Sequence, residues 1–74
     1  MTYTVAVHNA GEFFEDGVGD ENFVMVVSNK AGRKWFSNSA SACPGNVAEE
    51  AMVIEEMIND GVKLVKDAWT EITS

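Results

Sequence analysis

The stretch Phe23-Val24-Met25-Val26-Val27 is a continuous apolar run that contains three valines. An uninterrupted run of this kind, without alternating polar residues, is typical of a strand with both faces at least partly covered. We therefore expect residues 23–27 to form a central strand. The rest of the chain must then provide the strands that pair with it and the elements that pack on its two faces.

The segments on either side of this run predict two further strands. Apolar residues alternate with other residues at the start of the chain, at Tyr3, Val5 and Val7, and residues 9–11 then break the pattern. After the central run, residues 29–32 (NKAG) have the composition of a turn, and Lys34-Trp35-Phe36 follows at hairpin spacing. The second and third strands are therefore predicted to form an antiparallel hairpin.

A helix is predicted from Asn46 onward. Asn46 and Glu49 have the spacing of an N-cap and its capping-box partner. Apolar residues then recur at helical spacing, at Val47, Ala51, Ile54 and Ile58. The opposite side of the same helix carries Glu49, Met52, Glu56, Asn59 and Asp60. We expect Met52 to be exposed among carboxylates.

The C-terminal segment fits two structures. Apolar residues at 62, 65, 69 and 72 lie on one side of a helical wheel, and Gly61 favours a stop or kink before them. This pattern favours a second helical segment that meets the first near Gly61. The valine, tryptophan and threonine content also fits a strand over 64–72. The predicted fold is α+β, with a three-stranded antiparallel sheet followed by one or two C-terminal helices; a βββαβ order is the alternative.

Length and charge indicate a single small acidic domain. The chain has 74 residues and a net charge of −7, which leaves room for one core and favours basic partners. Five acids lie in 12–21 and five in 49–60, and a basic hairpin at 30–34 separates these two segments. No signal-type or membrane-spanning segment is recognisable, and the single cysteine excludes an internal disulfide. We expect a cytoplasmic protein.

Residues that could support catalysis or metal binding do not form a known motif. His8 is the only histidine, and Cys43, near the predicted helix start, lacks a neighbouring base. The segment 16–21 (DGVGDE) supplies oxygen ligands but does not have EF-hand spacing. The basic hairpin tip is predicted to be a solvated turn with Trp35 and Phe36 directed inward. We expect a protein that is not an enzyme and needs no cofactor or metal.

The carboxylates are the best candidates for a binding surface. Carboxylates one or two turns apart on a helix are separated by distances within about a factor of two of the phosphate spacing on a DNA strand. An acidic surface of this kind can occupy a groove made for nucleic acid. The predicted partner-binding residues are Glu12, Glu15, Asp16, Asp20, Glu21, Glu49, Met52, Glu56 and Asp60.

The order of elements resembles that of the small acidic phage anti-CRISPR proteins, in particular Cas9 inhibitors that mimic DNA. The matching stretches are TYTVAV, NFVMVVSNKAGRKWF and NVAEEAMVIEEMI. This resemblance implies an anionic surface bound in the nucleic-acid cleft of a bacterial defence nuclease, in the host cytoplasm if the protein is encoded by a phage. It transfers no individual residue. The hairpin-then-helix order is also similar to that of double-stranded-RNA-binding domains. Those domains have lysines at the start of the last helix, where this chain has NVAEE.

These features predict a non-enzymatic inhibitor or adaptor whose acidic surface binds a basic host protein, for example a nucleic-acid-binding complex. We expect no direct binding to nucleic acid and no membrane association. The alternative is a structural or assembly subunit that packs against copies of itself or into a larger complex through apolar residues such as Trp69 and Met52.

Overall fold

A computed structural model of the protein describes residues 2–14 and 22–72. In chain order the elements are strand β1, a short 3₁₀ turn, strands β2 and β3, helix α1 and strand β4. Their bounds are Tyr3–Asn9, Ala10–Glu12, Phe23–Asn29, Lys34–Ser37, Pro44–Asn59 and Trp69–Glu71. The described residues thus form a small α+β domain with a four-stranded sheet and one helix.

The sheet is an antiparallel meander with the spatial order β1-β2-β3-β4. Tyr3 pairs with Asn29 at one end of the β1–β2 ladder, and Asn9 pairs with Phe23 at the other. The β2–β3 hairpin turns at Gly32, which has a φ of 90°. The Gly32 N–H donates to Asn29 O at 3.1 Å, and Asn29 Oδ1 accepts from the Arg33 N–H at 2.9 Å. The predicted hairpin is confirmed.

Strand β2 is central and covered on both faces, as its sequence predicts. Val24, Val26 and Val27 are buried. Val24 and Val26 point to one face, where Phe13 and Phe14 pack against them. Val27 points to the opposite face, which α1 covers, since α1 buries Val47, Ala51 and Ile58 and contacts both β1 and β2.

The helix begins three residues earlier than the sequence pattern suggests. Cys43 is the N-cap residue and makes no side-chain capping bond, and Pro44 is the first helical residue. Proline suits this position because its fixed φ is helical and its missing N–H would have no intrahelical partner. The prediction that Asn46 caps the helix is therefore wrong.

The second helical segment predicted after Gly61 is also wrong. Gly61 has a φ of 99°, and its N–H donates to Ile58 O at 3.0 Å, while the Val62 N–H donates to Met57 O at 3.0 Å. This pair of bonds is a Schellman motif, which ends the helix. Beyond it the chain forms no second helix within 62–72, and Trp69–Glu71 pairs with β3 as β4. The alternative βββαβ order is the observed one, with a shorter last strand.

No helix in the described part of the chain has the length and apolarity needed to cross a membrane.

Candidate functional site

The outer face of α1 is the side of the helix turned away from the sheet, and we define it by Glu49, Met52, Glu56 and Asp60. All four residues are exposed. Their position follows from the helical repeat, because Val47, Ala51 and Ile58 occupy the buried side. The prediction that these residues share one exposed surface of the helix is confirmed.

The carboxylates of α1 and its C-cap have no ion-pair partner among the described residues. They are Glu49, Glu50, Glu55, Glu56 and Asp60. Positions 44–60 contain no lysine or arginine, so no base on the helix neutralises them. Like charges three or four residues apart on a helix repel each other modestly. The sequence thus tolerates a concentrated negative field on this side of the molecule.

Met52 lies within this field with 69 % of its surface exposed. Val53, the next residue in the chain, is 55 % exposed. A shallow depression next to these residues is lined by Glu49, Met52, Val53, Glu55 and Glu56. A flexible thioether among charges offers a partner an adaptable apolar contact that the carboxylates alone would not supply.

Glu12 does not join the outer face of α1. Its Oε2 accepts a hydrogen bond from the Asn9 N–H at 3.2 Å and lies 3.5 Å from His8 Nδ1. His8 in turn makes an edge contact with Phe13, which packs on the sheet face opposite α1. Glu12 therefore stabilises the 3₁₀ turn on the far side of the sheet. The other predicted acids of this segment, Glu15, Asp16, Asp20 and Glu21, lie outside the described residues.

The basic hairpin tip is partly engaged within the protein. The Arg33 guanidinium binds the Glu71 carboxylate through two hydrogen bonds, Nε to Oε2 at 2.9 Å and Nη2 to Oε1 at 2.7 Å. It also lies over the Trp35 ring, 5.1 Å from the centroid. The hydrogen bonding between these two side chains lowers the pKa of Glu71 and raises the pKa of Arg33. Phe36 packs against the core, as predicted, whereas Trp35 is half-buried and lines a cleft beside Tyr3.

His8 and Cys43 are not brought together. His8 contacts Glu12 and Phe13, whereas Cys43 is exposed at the start of α1, with its N–H donating to Ser41 Oγ at 3.2 Å. Among residues 2–14 and 22–72 no group of three or more potential metal ligands is present. The segment 16–21, whose oxygen ligands lack EF-hand spacing, falls outside those ranges.

Sequence reasoning missed the contact between the end of α1 and β1. Asn59, assigned from the helical wheel to the exposed side, hydrogen-bonds both backbone groups of Tyr3. Next to this contact, a cleft of about 420 Å³ is lined by aromatic, aliphatic and polar groups, including Tyr3, Trp35, Ile58 and Leu64. Only the three-dimensional arrangement of β1 and α1 reveals both features, because no short-range pattern links residues 3 and 59.

No protein-family model, curated protein or solved structure matches this chain.

Proposed function

We propose that this protein is a non-enzymatic inhibitor that docks the outer face of α1 onto a basic, nucleic-acid-binding protein. The observation that supports the proposal is the row of unpaired, exposed carboxylates with Met52 at its centre. Phage anti-CRISPR proteins that mimic DNA act in this general way, and this chain resembles them in charge and in the order of its elements.

The spacing of the carboxylates supports mimicry of a phosphate backbone. Glu56 and Asp60 are one turn apart, about 6 Å along the helix axis, and Glu49 and Glu56 are two turns apart, about 10 Å. These separations are of the same order as those between phosphates on a DNA strand. A groove lined with lysine and arginine would therefore meet carboxylates at several of its phosphate positions.

Electrostatics and apolar contact have separate roles in this proposal. The carboxylates steer the encounter and increase the association rate at low salt. Met52 supplies the desolvated contact that slows dissociation. The partner is expected to bind this protein and nucleic acid in competition, since both ligands use the same basic groove.

The proposal is tested by capture from a bacterial lysate with immobilised protein, at low and at high salt. We expect the double variant Glu49→Lys/Glu56→Lys to retain about a tenth or less of the affinity for the captured basic protein, a loss of about 1.4 kcal/mol or more. The single variants Glu49→Lys and Glu56→Lys are compared with Asp67→Lys, which changes the net charge by the same amount at an exposed position outside α1. Equal capture by the wild-type protein and the double variant would contradict the proposal, as would a captured protein that binds DNA and this chain simultaneously.

A second candidate function, assembly into a homo-oligomer or larger complex, is favoured by exposed aliphatic residues outside the outer face. Val62 is 47 % exposed and Val65 is 66 % exposed. Sedimentation at micromolar concentration distinguishes the two functions. A concentration-dependent oligomer that Val65→Ser abolishes supports assembly, whereas a monomer at all concentrations supports the docking inhibitor.

A further inference from the structure

Strand β1 lies at one edge of the sheet, and every second residue directs its backbone groups away from β2. The Ala10 N–H donates to Asn22 O at 2.8 Å, and these residues continue the β1–β2 register. In an antiparallel ladder, hydrogen-bonded and non-hydrogen-bonded pairs alternate. Thr4, Ala6 and His8 therefore bond to β2, and Tyr3, Val5, Val7 and Asn9 direct their N–H and C=O groups outward.

At both ends of β1, side chains bind the backbone groups that point away from β2. At one end Asn59 binds both backbone groups of Tyr3, at 2.8 and 3.2 Å. At the other end the Glu12 carboxylate accepts from the Asn9 N–H at 3.2 Å. Between the caps, the outward groups of Val5 and Val7 have no hydrogen-bond partner within the described residues. We define the edge window as residues 5–7.

The edge window lacks the features that usually prevent strand addition. Natural edge strands are protected by charged side chains, proline, bulges or short length. Strand β1 has seven residues, pairs with β2 without interruption, and has no charged residue or proline between Tyr3 and Val7. The opposite edge is protected, because β4 has only three residues and its Glu71 is held by Arg33.

One cation, Lys63, lines the cleft beside Tyr3, and two carboxylates, Glu55 and Glu12, lie on the elements that reach β1. Glu55 and Asn59 are four residues apart and lie on the same side of α1. Since Asn59 reaches the edge at Tyr3, Glu55 lies one helical turn before this contact, on the same side of α1. Glu55 makes no ion pair among the described residues, and Glu12 lies at the other end of the window. A basic segment would find a carboxylate near each end.

We infer that the edge window accepts an extended, lysine- or arginine-bearing segment of a partner protein as a fifth strand. Val5 and Val7 would exchange four backbone hydrogen bonds with that segment. Its basic side chains would lie near Glu55 and Glu12. This inference rests on the proposed function in one respect, that the partner is basic, and it adds a second contact to the one at the outer face of α1.

Charge favours a basic segment over a second copy of the chain at this edge. Two-fold pairing of β1 with itself would place both α1 helices side by side on one face of the joined sheet. Two chains of net charge −7 would then bring their two acidic helices close together. Like charges at such a contact oppose association.

A blocked octapeptide of alternating lysine and valine is the probe, and the matched glutamate–valine octapeptide is its control. Amide hydrogen exchange of the wild-type protein is measured by NMR with each peptide. We expect the lysine peptide to slow exchange at Val5 and Val7 by about tenfold or more, with little change at Ala6 and His8, which already bond to β2. We expect no protection from the glutamate peptide. Unchanged exchange at Val5 and Val7 would overturn the inference, and so would protection that rises with protein concentration in the absence of peptide, because the occupant would then be a second copy.

Two variants separate this inference from the proposed function. Val7→Pro removes an outward N–H without removing a bond to β2, and Val7→Thr keeps that N–H. We expect Val7→Pro to weaken peptide binding about tenfold or more relative to Val7→Thr; equal binding would contradict strand addition. The Glu49→Lys/Glu56→Lys variant should still show protection at Val5 and Val7 with the lysine peptide, even if it no longer captures the basic protein from lysate. The exchange measurement uses the wild-type chain, so it decides the question even if Val7→Pro fails to fold.

Discussion

The side-chain amide of Asn59, the last residue of α1, hydrogen-bonds both backbone groups of Tyr3, at the start of β1. The Tyr3 N–H donates to Asn59 Oδ1 at 2.8 Å, and Asn59 Nδ2 donates to Tyr3 O at 3.2 Å. Two residues that are 56 positions apart in the chain are thereby joined. We expect Asn59→Ala to reduce the free energy of unfolding by about 1–2 kcal/mol, because both hydrogen bonds are lost.

Urea denaturation checks this prediction, with Asn46→Ala as the control. Asn46 lies on the same helix and is exposed. Since the helix begins at Pro44 and Cys43 is its N-cap, Asn46 has no capping role to lose, and alanine has the higher helix propensity. Asn46→Ala should therefore be neutral or slightly stabilising. A larger loss for Asn46→Ala than for Asn59→Ala would contradict the contact at Tyr3.

Gly61 and Gly45 should respond to the same substitution with opposite signs. Gly61 has a φ of 99°, and Gly45 lies within α1. A Cβ at either position would meet no atom within 4 Å, so backbone conformation alone decides the outcome. Gly61→Ala should destabilise the protein by about 1–2 kcal/mol, since an L-residue must adopt the left-handed region. Gly45→Ala should stabilise it by about 0.5 kcal/mol.

Thermal unfolding of both glycine variants measures the difference. If Gly61→Ala unfolds at the wild-type temperature, the Schellman motif does not stabilise the end of α1. Circular dichroism at low temperature provides the structural control, because both variants should keep the wild-type helix content.

Local patterns predicted the elements whose determinants are local. The alternation in Tyr3, Val5 and Val7 and the glycine turn at Gly32 each specify their structure within a few residues. The tail differs because its apolar residues at 62, 65, 69 and 72 fit a helical wheel equally well. Gly61 ends the helix through its conformation, and Trp69–Glu71 becomes a strand through pairing with β3, a contact that no local pattern encodes.

The candidate site likewise combines features that local patterns predict with features that depend on tertiary contacts. The exposure of Met52 and Glu56 follows from helical periodicity once the buried side of α1 is known. The edge position of β1 could not be predicted, since it depends on β4 pairing with β3 and leaving the other side of β1 open. The role of Asn59 depends in turn on where α1 ends relative to that edge.

The Arg33–Glu71 pair predicts a dependence of stability on pH. The hydrogen bond to Arg33 lowers the pKa of Glu71 below its ordinary value of 4.5. A carboxyl group whose pKa is lower in the folded state stabilises that state above its unfolded pKa, and this contribution is lost as pH falls through the folded pKa. The wild-type protein should therefore unfold at a higher temperature than Glu71→Gln at pH 7, and this difference should disappear below the folded pKa of Glu71.

Melting temperatures of the two proteins between pH 7 and pH 2 test whether the stability difference decreases as pH falls. The shift is expected to be small, because both side chains are exposed and exposed ion pairs are screened by salt. Asp67→Asn is the control, since it removes a carboxylate at an exposed position without the Arg33 contact. A difference between wild type and Glu71→Gln that grows as pH falls would contradict the assignment.

Phe13 and Phe14 should both contribute to stability because they pack on the same ring. Phe13 stacks on Phe36 with centroids 5.0 Å apart, and Phe14 meets it edge-on at 5.6 Å. All three rings are half-buried. Phe13→Ala or Phe14→Ala should therefore reduce the free energy of unfolding by about 1–2 kcal/mol, less than the loss of a fully buried phenylalanine. Urea titrations of the two single variants and the double variant test this. Because both rings share Phe36, the double variant should deviate from additivity, and a neutral effect of either single variant would show that only one ring anchors the segment.

Met52 and Glu56 should affect partner binding in different ways that salt can separate. Glu56→Gln removes a charge from the outer face, so it should reduce affinity at low salt and also the steepness with which affinity falls as salt increases. Met52→Ala leaves the charge unchanged, so it should weaken binding about tenfold or more at every salt concentration, through faster dissociation.

Surface plasmon resonance with the captured basic protein, from 50 mM to 500 mM salt, measures both the affinity and its salt dependence. Met57→Ala is the matched control, since Met57 is 41 % exposed but lies away from the centre of the outer face. If Met52→Ala changed only the salt dependence, or if Met57→Ala weakened binding as strongly, Met52 would not be the apolar anchor of this surface.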